Sequence, residues 1–229
     1  MPANISVPHC TAILVAAGSS RRMGTDKLAW PLAGVPVLRR TLDAFLAAQS
    51  IAAIVVVCPE ERWNSLGWPD FQKPVTRADG GVNRQDSVAN GLMALDPHTR
   101  YVAVHDGARP LVAPEDIDRC VAAAIEHQAA TLASRVTETM QRSDSDDFSA
   151  EPVSRDHLWR METPQVFQTA LLRDACAALT AGGLVLTDEV TAVQACGTRV
   201  KFVESHHPNL KITTPADLAL AEALLSIKP

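Results

Sequence analysis

Two uninterrupted apolar runs with a helical pattern between them limit the fold more than any other feature. The first, Ala12-Ile13-Leu14-Val15, is branched enough to be a buried strand. The second runs from Ala53 to Cys58, and Pro59 stops it. Between them, Val35 to Ala48 carries Val37, Leu38, Leu42, Phe45 and Leu46 at helical spacings, an amphipathic helix. Strand, helix, strand in that order predicts a right-handed parallel crossover. The chain is therefore expected to be α/β.

The first run gives way to Ala16-Ala17-Gly18-Ser19-Ser20-Arg21-Arg22-Met23-Gly24-Thr25-Asp26-Lys27. Small residues let a bound group approach backbone N–H groups, and Arg21, Arg22 and Lys27 add charge for an anion. A phosphate chain suits such a loop. It is neither a P-loop, having no Gly-Lys-Ser/Thr, nor a dinucleotide fingerprint, since Gly18 and Gly24 are too far apart for Gly-x-Gly-x-x-Gly. The plainer alternative is a polar turn with solvated cations.

At 229 residues the chain suits one domain, or one domain with an excursion. A net charge of −5 argues against a general nucleic-acid binder, so a cationic site must be local. The apolar runs are too short to span a membrane, and Met1-Pro2-Ala3-Asn4-Ile5-Ser6 lacks the pattern of a signal peptide. Cys10, Cys58, Cys120, Cys176 and Cys196 form no C-x-x-C pair, which fits reduced thiols in a cytoplasmic protein. The seven histidines have no metal-site spacing.

Further along, the Gly80-Gly81 turn precedes a helix containing Val88, Leu92 and Met93, with Asn83 as its expected cap. Tyr101 to Val104 is the next strand, and it ends on His105-Asp106-Gly107-Ala108-Arg109-Pro110. An Asp at the C-terminal end of a central parallel strand sits where open α/β sheets bind ligands. Facing a cationic loop, it is placed for a Mg²⁺–triphosphate; the alternative is an Asp106–Arg109 surface pair. Pro114 opens another helix, and Ala130 to Val136 reads as a strand.

Thr137 to His157 then turns polar around Ser143-Asp144-Ser145-Asp146-Asp147, which suggests a protruding hairpin, or else a disordered loop. Thr163 to Phe167 returns to the body, and a helix follows from about Thr169 to Leu179. Thr187-Asp188-Glu189 opens a short helix, Val200 to Val203 is a late strand, and Thr214-Pro215-Ala216-Asp217 starts the last helix.

Taken together, these blocks resemble the 2-C-methyl-D-erythritol 4-phosphate cytidylyltransferase family. The matching residues are Ala16-Ala17-Gly18…Arg22-Met23, Gly80-Gly81…Arg84-Gln85-Asp86-Ser87-Val88 and Val104 to Pro110. Beyond them come Glu138-Thr139-Met140, Arg155…Leu158-Trp159, Thr163-Pro164-Gln165, Thr187-Asp188-Glu189 and Asn209-Leu210-Lys211-Ile212-Thr213. They occur in family order over nearly all the length. The first loop departs from the family in being shorter and ending Asp26-Lys27-Leu28. In that loop the chain also looks like molybdenum-cofactor nucleotidyltransferases, which lack the later blocks as a set.

The resemblance implies a Rossmann-like nucleotidyltransferase fold: a mixed, mostly parallel sheet flanked by helices, with the arm at about 137–157 inserted in a single domain spanning 1–229. It implies a homodimer through exchanged arms, with CTP and methylerythritol phosphate as substrates and no nucleic-acid or membrane partner. Ala16, Ala17 and Gly18 would wrap the triphosphate, and Arg22, Lys27 and Lys211 would be catalytic. Gly81 and Ser87 would read the cytosine, and Asp106 would hold Mg²⁺. Arg109, Thr163 and Thr187 would face the acceptor, joined by Thr139 and Arg155 from the partner subunit.

A phosphate oxygen attacking the α-phosphate of CTP is already ionised at neutral pH, so the reaction needs alignment and charge neutralisation rather than a general base. The cation set suits that demand better than hydride transfer. A nucleotide-binding module without catalysis would keep the loop and Gly81 yet have no use for Arg109 and Lys211.

Overall fold

In the computed structural model, which describes residues 10–18, 26–65, 71–181 and 188–227, strand and helix alternate as expected. β1 (Cys10–Val15) is followed by a small hairpin, β2 (Pro31–Leu32) and β3 (Val35–Pro36), and then by α1 (Val37–Ala47). The helix begins two residues later than its apolar pattern suggests, because Pro36 pairs with Pro31 and takes the N-cap position. β4 (Ile51–Val57), α2 (Glu60–Ser65), β5 (Val75–Ala78), α3 (Arg84–Met93) and β6 (Tyr101–Asp106) come next. α4 (Pro114–His127) leads into β7 (Ala129–Arg135), and its C-cap Gln128 turns in the left-handed conformation at φ 70°.

The polar segment forms β8 (Met140–Ser143) and β9 (Ser149–Val153), an antiparallel pair separate from the main sheet. Its acidic centre is the turn: the Asp144 carboxylate accepts the N–H groups of Asp146 and Phe148, each at 3.0 Å. Arg142 and Glu151 pair across the ribbon at 2.8 Å. β10 (Trp159–Gln168) re-enters the body, followed by α5 (Thr169–Ala181), α6 (Glu189–Ala195), β11 (Lys201–Glu204) and α7 (Pro215–Ser226). Thr214 caps α7 in a reciprocal box with Asp217.

The main sheet runs β11-β7-β10-β6-β1-β4-β5. β1 pairs in parallel with both β4 and β6, while β10 is antiparallel to β6 and β7, so the sheet is mixed. Successive β1 residues feed opposite faces: Ala12 and Leu14 pack with Leu38, Phe45 and Ile117, and Ile13 packs with Val88, Leu92 and Leu172. Each fully buried side chain of this kind contributes about 1.5–3 kcal/mol, which makes the centre of the sheet the rigid part of the molecule.

This architecture places the site. The chain leaves β1 in one direction for β4 and reaches β6 on the other side, so the strand order reverses at β1. In the parallel register Val15 stands beside Asp106. The first loop and the Asp106 carboxylate thus emerge side by side at the switch point, where α/β sheets bind ligands.

Candidate active site

Asp106 anchors the site. Its carboxylate is almost fully buried and meets three cations brought from distant parts of the sequence. Lys211 Nζ lies 2.8 Å from Oδ2, Arg84 Nε 3.3 Å from Oδ1, and Arg109 Nε 3.7 Å from Oδ2. The surface-pair alternative therefore does not describe it. Burial alone would raise this carboxyl; Arg84, Lys211 and Arg109 outweigh burial and hold it well below the usual carboxylate range.

Arg84 opens α3 behind the Asn83–Asp86 capping box, and it has a second, closer partner in Glu189 (Nη1–Oε1 2.6 Å). Glu189 is buried at the start of α6. Burial raises its carboxyl above the ordinary value, and Arg84 offsets this only in part. Its position is fixed by Gln165 of β10, whose Oε1 accepts the N–H groups of Glu189 and Val190, both at 3.1 Å. The Gln165 amide donates in turn to Asp188 at 3.1 Å.

Arg109 also donates from Nη1 to the Asn209 carbonyl at 2.7 Å, and the Asn209 amide donates to the Thr163 carbonyl at 2.7 Å. The Thr163 hydroxyl accepts the Asp106 N–H at 3.2 Å and stands 2.9 Å from His105 Nδ1. Burial pushes His105 down to about 3, so the ring is neutral. With His105 Nε2 3.3 Å from the Arg109 carbonyl, the proton belongs on Nε2. Thr163 then donates its own proton to Nδ1, and its hydroxyl serves to fix the backbone at Asp106.

The turns beside the first loop are built by close approach. The Ala16 N–H donates to the Val57 carbonyl at 2.8 Å. A Cβ on Gly80 would come within 2.3 Å of the Ala17 Cβ, so glycine there lets the turn touch the first loop, and one on Gly81 would come within 2.2 Å of the Asp86 Cβ, so glycine there lets the turn fold back onto α3. The Gly81 N–H donates to Ser87 Oγ at 3.0 Å, and that hydroxyl faces the Asn83 carbonyl at 3.1 Å. At Gly18 an added Cβ would meet nothing within 4 Å among the described residues.

Lys27 Nζ donates to the Ile212 carbonyl at 2.7 Å, next to Lys211. Arg62 braces the first loop from α2, a contact no local pattern announces. It forms a fork with Asp26 (Nε–Oδ2 2.8 Å and Nη2–Oδ1 3.0 Å) and donates to the Ala16 carbonyl and, at 3.2 Å, to that of Gly18. Arg22 and Thr187 lie outside the described residues. Thr139 and Arg155 are exposed on the arm, where Arg155 donates to the Thr137 carbonyl.

A hard dication suits this donor set only together with a nucleotide. Among the described residues no group of three or more His, Cys, Asp or Glu could hold a metal ion. One carboxylate at the mouth of a phosphate pocket is the arrangement Mg²⁺ prefers, completing its shell with phosphate oxygens and water.

A mixed α/β sheet with a small-residue loop and cations converging on a buried carboxylate at its switch point is the layout of a nucleotidyltransferase. The sequence model of the 2-C-methyl-D-erythritol 4-phosphate cytidylyltransferases, IspD, matches residues 10–227. The chain belongs to this family. The enzyme of that name from Pelotomaculum thermopropionicum is 41% identical, covering 95% of this chain and 94% of its own length. The chloroplastic enzyme of Oryza sativa subsp. japonica is 37% identical, over 95% of this chain and 75% of its own. Among solved structures, 4-diphosphocytidyl-2C-methyl-D-erythritol synthase from Anaerococcus prevotii superposes with a TM-score of 0.84 at 28% identity, covering 95% of this chain and 96% of that one. The Thermus thermophilus cytidylyltransferase does so at 0.78 and 34%, covering 94% and 98%.

Proposed function

We propose that this chain transfers the cytidylyl group of CTP to 2-C-methyl-D-erythritol 4-phosphate, releasing pyrophosphate, in isoprenoid precursor synthesis. Family membership gives the reaction. The convergence of Lys211, Arg84 and Arg109 on one buried carboxylate beside the first loop is the observation that most supports its location.

Ala16, Ala17 and Gly18 line the triphosphate, and Gly81 and Ser87 border the cytosine. Arg22, Lys27 and Lys211 neutralise charge that grows on the α-phosphate and on the leaving pyrophosphate as the acceptor phosphate oxygen attacks in line. The acceptor is already an anion, so the site has no need of a base, in keeping with His105 being neutral and inward. Arg109 and Thr187 face the acceptor, and Thr163 shapes that side by holding Asp106 and Asn209. Asp106 would hold Mg²⁺, which would supply positive charge against the phosphates.

The acceptor's phosphate needs a further cation, and the arm carries one in Arg155. Two copies exchanging arms in a homodimer bring Thr139 and Arg155 into each other's site. Residues 1–229 act as one nucleotidyltransferase domain with the arm inserted. The untethered thiols of Cys10, Cys58 and Cys120 suit the cytoplasm. No helix among the described residues is long and apolar enough to cross a membrane.

The test is pyrophosphate release with each of the four common NTPs, with and without methylerythritol phosphate. Release that requires both CTP and the acceptor is expected. Release that does not depend on the acceptor, or equal rates with all four nucleotides, overturns the reading.

A further inference from the structure

Arg84 is shared between two buried carboxylates, and the sharing is unequal. It lies 2.6 Å from Glu189 but 3.3 Å from Asp106. At the longer distance a charged hydrogen bond is well past its optimum. The two oxygens of Asp106 therefore differ: Oδ2 is held closely by Lys211 at 2.8 Å, whereas Oδ1 has only this stretched contact from Arg84 among the described contacts.

What stretches it is a fixed frame. Glu189 is held through its own backbone by Gln165, and Gln165 belongs to β10, which pairs with β6, the strand that carries Asp106. The site thus sets the Glu189 carboxylate against Asp106 in competition for one guanidinium. Glu189 Oε2 is buried with no hydrogen-bond partner among the described residues, an arrangement that costs stability. Asp188, one residue earlier, already caps α6, so Glu189 is not needed to start that helix.

We propose that Glu189 is a positioning residue that draws Arg84 away from Asp106 and so keeps Asp106 Oδ1 open to the divalent cation that accompanies the nucleotide. This rests on the reading of Asp106 given above. Without the Glu189 charge, Arg84 closes onto Oδ1 and competes with the cation. Without Arg84, the competitor is gone. The two lesions then act in opposite directions, which a structural role for the pair would not produce.

The experiment is calorimetric titration of CTP into the intact protein without acceptor, repeated over a series of Mg²⁺ concentrations. The reading is the Mg²⁺ concentration that gives half the maximal CTP affinity. Glu189→Gln is expected to raise it about tenfold, the lower range of what one charged hydrogen bond is worth. Arg84→Gln is expected to lower it, and the double variant to match Arg84→Gln, because Glu189 acts only through Arg84. Equal-direction shifts, or no shift with Glu189→Gln, overturn the proposal. Should Glu189→Gln fail to fold, Arg84→Gln alone decides: an unchanged or raised requirement overturns it. Asp106→Asn separates the two levels. If that variant leaves the Mg²⁺ dependence of CTP binding unaltered, the metal reading of Asp106 fails as well; if it abolishes the dependence while Glu189→Gln does nothing, only the present inference falls.

Discussion

The carboxylate cluster at the top of the sheet and the β8–β9 arm are built on opposite principles. Around Asp106, residues 84, 109, 189 and 211 converge from four parts of the chain onto groups that are buried or half-buried. In the arm, the strands form a two-stranded sheet of their own among the described residues, and Phe148 at the tip is 70% exposed. An isolated two-stranded ribbon is marginal in water. Half of the proposed site therefore comes ready-made with the fold, while the half on the arm depends on what the arm meets.

Replacing Lys27 strikes the ready-made half. Lys27→Ala is expected to lower turnover about 100- to 1,000-fold, the loss typical of one donor aimed at transition-state charge. Steady-state kinetics alongside a melting curve will show it: turnover should collapse while the melting temperature barely moves. Near-normal turnover would mean that charge at the α-phosphate is met from elsewhere in the loop.

The arm is tested by mixing. Lys27→Ala and Arg155→Ala proteins, each nearly inactive, should regain activity once subunits exchange, up to about a quarter of wild type for random pairing of two-fold dimers. If the arm serves its own subunit, every site in the mixture keeps one defect and nothing returns. Native mass spectrometry of the mixture establishes whether exchange occurred.

The smallest effect belongs to the scaffold that holds the ready-made half. Asp116 at the start of α4 accepts the N–H groups of His206 and His207, at 3.1 and 3.2 Å, and pairs with Arg119, anchoring the approach to Asn209 and Lys211. Burial raises its carboxyl, but the bonds from Arg119 and His207 outweigh burial and depress it. A depressed acid contributes stability above its unfolded value, near 3.9, and loses it as pH falls through the folded value. Asp116→Asn should therefore cost roughly 2 kcal/mol at neutral pH, in the range of a charged hydrogen bond. The difference should shrink below about pH 4. Urea melts from pH 7 to pH 3 will test this; a gap that stays constant with pH would assign the loss to packing instead.

The contrast also explains what the sequence reveals. The long strands and amphipathic helices are legible because burial imposes a period on them. α2, with no buried residue, and β5, four residues long at the sheet edge, have no such imprint and pass unseen. Among site residues, Asp106 is marked by its place at a strand end. Arg84 and Glu189 each sit at a helix start, where a charge reads as capping, and their partnership spans 105 positions. Arg62 is hidden for the same reason: nothing near it in the chain predicts a fork onto Asp26 or a bond to the Ala16 carbonyl. The polarity that marks the arm is local, so the hairpin is legible although its destination is not.

That Arg62 fork has a consequence for how the first loop can vary. It holds Ala16 and Gly18 at one end and Asp26 at the other. The distance between the two attachment points is then a property of α2 and the sheet, whatever the number of residues strung between them. Closing a longer span on fixed ends costs little extra entropy, about 0.6 kcal/mol for each doubling of length. A short first loop and a long one can therefore be exchanged on this frame with Lys27 kept at its post beside Ile212, and loop length becomes free to drift while the cation's address is conserved by the clamp.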